Sequence, residues 1–209
     1  MVDDLGPTLA VLGGLGPATA GVGGEAGGIL LDATKRFQDW PLDRRELLSM
    51  AISYDLDCAT ELSVAEVAKR LEEIGRDLGV FDASVTSELM TEQGVNARLD
   101  TWIRVCEDER SPWGPVIDDL RFASTVSVVF RMAKGVEVSD QQDDMLRLVV
   151  PLLERIDGDA VLHFQFEEVW LLRMNGELSL NEKDDLWRPQ RLALLTQPFR
   201  RETHTMDFD

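Results

Sequence analysis

The chain is poor in the residues from which metal and covalent chemistry are built. Its 209 residues include two cysteines, two histidines and one tyrosine. Cys58 and Cys106 lie far apart and match no metal or redox spacing, which reads as reduced thiols in a cytoplasmic protein. His163 and His204 are too few and too scattered for a zinc site. Positive charge is scarce as well: 21 Lys and Arg stand against 39 Asp and Glu, a net of −18 and a pI near 4.4. Such a field repels phosphate backbones, so direct nucleic-acid binding is disfavoured and a basic partner is favoured. Acidity alone also serves solubility. The ordered region holds no GxGxxG, P-loop or nucleophile-elbow pattern. The one long uncharged run, Leu5 to Gly24, is broken by glycine and proline, which excludes a stable membrane span. Asp3 and Asp4 occupy the place where a secretory signal carries positive charge.

What is present is organised by AVLHFQFEEVWLLRMNGELSLN, Ala160 to Asn181. Asn175-Gly176 between apolar runs is a strong hairpin signal, because a type I′ turn needs positive φ at both positions. It sets Met174 opposite Glu177, Leu172 opposite Ser179 and Leu171 opposite Leu180. A second tight turn at Glu167-Glu168 sets Phe166 opposite Val169 and Phe164 opposite Leu171. Alternation then sorts the side chains. Leu162, Phe164, Phe166, Val169, Leu171, Leu178 and Leu180 read as core. The other face carries Val161, His163, Gln165, Trp170, Leu172, Met174, Glu177, Ser179 and Asn181. It suits either a docked partner, with Trp170 as anchor, or a cover from elsewhere in the chain.

Residues 1–49 differ in composition. The first 28 hold nine of the sixteen glycines and read as a flexible tail; Ile29 to Ser49 is amphipathic and divided by Pro41. This segment has seven acids and four bases, so the acidity belongs to residues 50–209. There, Ala51 to Asp57 alternates as a strand. Ser63 and Glu66 form a capping box, followed by an apolar stripe through Leu78 and a stop at Gly79. Two strands are expected over Ser84 to Thr91 and Val95 to Cys106, then a loop over Glu107 to Asp119. The pattern recurs with a strand at Thr125 to Met132, a capping box from Ser139 to Gln142 and a helix from Met145 to Ile156, which Pro151 should kink. A short helix is expected over Glu182 to Leu195. The expected fold is α+β: an antiparallel sheet with two main helices on one face, arranged as two β-α-β-β halves.

Chemistry has few footholds. Asp140, Asp143 and Asp144, and also Asp184 and Asp185, are acidic clusters without the wrapping loop of a hard-cation site, and read as helix-start carboxylates. Glu167 and Glu168 point apart on a strand or are solvated in a turn. His163 has no nucleophile placed beside it, and a half-buried structural histidine is the ordinary reading. No catalytic residue, metal or cofactor is assigned.

Two blocks carry a resemblance: SYDLDCATELSVAEVAKRL near Met50, and QQDDMLRLVVPLLERIDGDAVLHFQFEEVWLLRMNGELSLNEKDDLWRPQRLALLTQPFRR. They resemble the Sit-type immunity proteins of bacterial polymorphic-toxin systems over roughly Met50 to Arg201, most specifically from Asp143 to Trp187. The resemblance implies a non-enzymatic protein that neutralises a cognate toxin exchanged between cells, protecting the producer and its kin. The expected partner is a toxin domain, with a basic nuclease as one form. Its candidate contacts are Trp170, Leu172, Met174, His163 and Glu177, or the acidic surface of Asp140, Asp143, Asp144, Asp184 and Asp185. Two readings from other classes compete with it. One is an enzyme or small-ligand receptor with a pocket near His163, and the other is a self-associating adaptor.

Overall fold

A computed structural model describes residues 52–108, 123–165 and 167–204. The Gly-rich tail and amphipathic segment (1–49), most of the expected 107–119 loop and Phe166 lie outside the described residues. Eight strands form one sheet: β1 (Ser53–Ala59), β2 (Val95–Asn96), β3 (Trp102–Glu107), β4 (Val126–Arg131), β5 (Asp159–Phe164), β6 (Glu168–Met174), β7 (Glu177–Leu180) and β8 (Phe199–Arg201). Four helices accompany them: α1 (Val64–Asp77), α2 (Ser87–Glu92), α3 (Val138–Arg155) and α4 (Pro189–Leu192). The class is α+β.

The order across the sheet is β2-β3-β4-β1-β5-β6-β7-β8. All neighbours are antiparallel except β7 and β8. β1 and β3 therefore run parallel with β4 between them, and β4 and β5 run parallel with β1 between them. The chain makes two interleaved split β-α-β units, β1-α1-β3 and β4-α3-β5, the connectivity of a ferredoxin-like core. Leu71 and Ile74 of α1 and Met145, Leu148 and Leu152 of α3 join Leu56, Val128, Ile103 and Leu162 of the sheet in one buried cluster. A separate small cluster of Val161, Val169 and Leu172, with Ala59 and Met174 against it, occupies the other face.

Local chemistry accounts for the start of α1. The Ser63 hydroxyl accepts from the Glu66 N–H at 3.3 Å, and the Glu66 carboxylate accepts from the Ser63 N–H at 2.8 Å. This reciprocal box satisfies two orphan amides. The Asn175-Gly176 turn takes φ of +52° and +81° and holds the expected register, Met174 opposite Glu177 through Leu171 opposite Leu180.

Five expectations are corrected. The expected Val95 to Cys106 strand is broken into β2 and β3, which pair with each other, Val95 opposite Ile103. Ser87–Glu92, overlapping the expected Ser84 to Thr91 strand, is helical, and the Thr86 hydroxyl caps it by accepting from the Leu89 N–H at 3.3 Å. α3 begins at Val138 with Glu137 before it and no side-chain cap, so Ser139 lies inside the helix. The expected Glu182 to Leu195 helix shrinks to Pro189–Leu192. The β5–β6 turn is also longer than two residues: Phe164 pairs with Glu168 and His163 with Val169, and Gln165 takes φ +47°.

Candidate functional site

The last correction decides where the candidate residues go. The ladder runs Val161 opposite Leu172 and Leu162 opposite Leu171, then shifts to His163 opposite Val169. One extra residue in β6 is a bulge, and it reverses the facing of everything beyond it. Val169 therefore joins His163 on the face away from the main core, and Trp170 turns into that core. There Trp170 is 1% exposed. Its ring meets Tyr54 edge-on at 5.1 Å, and the Arg191 guanidinium lies 5.5 Å over it. The Trp187 indole N–H donates to the Trp170 carbonyl at 3.0 Å. The assignment of Trp170 to the same face as Leu172 and Met174 is thus corrected.

On that other face, Asp57 of β1 and His163 of β5 are both buried, with the His163 Nε2 3.0 Å from the Asp57 carboxylate. Burial opposes charge on the imidazole, but the Asp57 hydrogen bond and the charges of Asp57, Asp55 and Asp108 outweigh it, so the His163 pKa is raised. His163 has no exposed surface. The described surface carries a shallow notch of about 190 Å³ beside Met132 and Lys134, and an open cleft of about 490 Å³ between Ser63, Glu66, Glu107 and Thr125. His163 lines neither. Leu172 is buried, Met174 is half-buried, and Glu177 is exposed at the hairpin tip.

The two acidic clusters divide by burial. Asp144 is buried, taking Arg98 in two contacts of 2.7 and 2.5 Å and Arg147 at 3.1 Å. Asp143 accepts from Arg191 at 2.5 Å and Arg188 at 3.1 Å. Asp140, in the first turn of α3, stays exposed, as do Asp184 and Asp185. The latter pair sits in a turn ahead of Trp187, short of α4, so it does not serve a helix start. Arg188 brings the two segments together by also donating to the Ser139 hydroxyl at 2.7 Å. Asp140, Asp184 and Asp185 thus remain exposed, Asp184 within 3.3 Å of Arg201, while Asp143 is held by Arg188 and Arg191.

Several structural partners are not visible in sequence patterns. Arg191 is 2% exposed and also donates to the Leu186 carbonyl at 2.8 Å and to Gln142 at 3.0 Å. Gln141, fully buried, ties Thr101 to the turn before α3 through Ala133 and Val136. Asp57 had one signal, its alternation with Leu56 and Cys58 on β1, but that becomes informative only once β5 is known to lie alongside. Cys58 and Cys106 are free thiols; burial pushes the Cys58 thiol up to about 12, which makes it a packing residue rather than a nucleophile. Among the described residues no group of three or more His, Cys, Asp or Glu is placed to hold a metal ion, and no helix is long and apolar enough to cross a membrane.

No curated protein and no solved structure matches the chain. A family model described as SitI3-like matches residues 52–191, from the residue before β1 into α4, and the chain belongs to that family.

Proposed function

We propose that this chain is an immunity protein that binds a cognate polymorphic toxin in the cytoplasm and neutralises it by occupying its surface one to one. The observation that carries this reading is the SitI3-like match, a family name that points to immunity proteins, across almost the whole described fold. Kin discrimination is the biological setting that this reading implies.

The accessible candidates favour a charged contact. Asp140, Asp184, Asp185 and Glu177 are exposed. Trp170 and His163 are buried and would act on a partner only through the fold they hold. We therefore place toxin recognition on the exposed carboxylates Asp140, Asp184 and Asp185, with a basic toxin domain, a nuclease being one form, as the partner. Charge complementarity there raises the encounter rate and disfavours acidic competitors. Protection by binding needs no turnover.

The experiment is a capture from the native cell with the full chain as bait, alongside an Asp140→Lys/Asp184→Lys/Asp185→Lys variant. The expected result is one basic protein recovered with the unaltered chain, lost with the variant, and toxic to a cell that lacks this chain. Equal recovery by both baits removes the acidic surface from the reading. Recovery of no toxic protein removes the immunity reading.

A further inference from the structure

Among the described residues the sheet ends at β8, and none of them pairs with its outer edge. β8 pairs with β7 in the register Leu178 opposite Phe199 through Leu180 opposite Arg201, and the Glu202 N–H donates to the Leu180 carbonyl at 2.8 Å. Successive residues of a strand turn their peptide groups to opposite sides. Arg200 and Glu202 thus face β7, while Phe199 and Arg201 turn N–H and C=O outward. No described strand takes that edge. Phe199, at its start, is 40% exposed and is the one exposed large hydrophobic among the described residues. An unpaired edge is a template for another strand.

The charges select the occupant. Arg200 and Glu202 are both largely exposed and lie 3.1 Å apart, and Arg200 also reaches Glu177 at 3.3 Å. Arg200 shares the register position of Ser179, whose hydroxyl meets His204 at 2.9 Å, so these side chains stand on the face away from the helices. Suppose a second β8 pairs antiparallel about a twofold axis at Arg201. Phe199 then lies opposite Thr203 and Arg200 opposite Glu202, each twice. All the outward peptide groups of the strand find partners, and the Arg201 pair exchanges both its hydrogen bonds. The two Arg201 heads do not confront one another, because each is held by its own Asn181 and Glu182 carbonyls, at 3.0 and 2.8 Å, and by Asp184 at 3.3 Å. A slip of one residue would set Arg200 opposite Arg201 and lose the match.

We propose that β8 is a self-complementary edge through which two copies of this chain join their sheets. The edge carries Arg200 and Arg201, so a second copy suits it better than the basic toxin proposed for the acidic surface. The contact is short and the chains repel one another at a net −18 each, so the dimer is weak and forms as concentration rises.

The test is sedimentation velocity on the full chain over a concentration series reaching the millimolar range, at about 0.15 M salt to screen the long-range repulsion. The expected result is a reversible monomer–dimer equilibrium. Arg200→Glu and Glu202→Arg, each shown to be folded by far-UV circular dichroism, should weaken association about tenfold. The double exchange R200E/E202R should restore it. A chain that stays monomeric throughout overturns the proposal. So do single variants that dimerise like the parent, or a double variant that fails to recover.

Discussion

Trp170 shows what one residue inserted into a strand does to the reading of a sequence. Strict alternation places it beside Leu172 and Met174, but the shift between Leu162 and His163 sends it into the core against Tyr54 and Arg191. Nothing in AVLHFQFEEVW marks where the extra residue falls, because a bulge is settled by how both sheet faces pack. Trp170→Ala should therefore lower stability by about 3–5 kcal/mol through the cavity it leaves, read as a fall in the denaturant midpoint. Any loss of toxin affinity in that variant would report unfolding rather than a lost contact. His163 gives the second prediction at this scale. Its folded pKa lies above the ordinary value of 6.5, so folding favours its proton. The stabilisation is complete below that ordinary value and is lost as pH rises through the folded one. Urea midpoints measured across neutral pH should fall with rising pH, and His163→Gln should flatten that fall. A parent chain with no such slope would remove the charged Asp57–His163 pair from the account.

Elements were legible where the signal is local and strong. The Ser63 capping box and the Asn175-Gly176 hairpin are each fixed by a few neighbouring residues, and both stand as read. The six-residue α2 is too short to show a helical period, so its Ser and Thr content resembled a strand. The start of α3 was misplaced because Ser139 and Gln142 mimic a cap, whereas the chain enters the helix uncapped at Glu137 and the turn before it is held by Gln141 from within. The entry into β5 rests on Gly158. Its φ is +95°, and a Cβ there would stand 1.8 Å from the Ala59 carbonyl oxygen. Gly158→Ala should destabilise by more than about 1 kcal/mol, through both the strained φ and the displaced β1 backbone. The same change at the open Gly135 position lacks the clash and should be milder. Equal midpoints for the two variants would contradict the role given to Gly158.

At the scale of the molecule, composition announced the charge but not its distribution. Asp143 and Asp144 look like Asp140 in sequence, yet they are held by arginines from distant segments, Arg98, Arg188 and Arg191, and only the structure separates them from the exposed Asp140. If the remaining acidic surface guides a basic toxin, association should slow steeply as salt rises, while dissociation changes less. Stopped-flow measurements over a salt series would show it, and Asp184→Lys/Asp185→Lys should reduce both the rate and its salt dependence. The measurement closest to the central claim is a calorimetric titration of the full chain into the captured toxin domain, run beside an assay of toxin activity. The account predicts saturation at one chain per toxin and loss of activity in the same proportion. Silencing of the toxin by far less than one equivalent would mean turnover and would contradict it, as would saturation that leaves the toxin active.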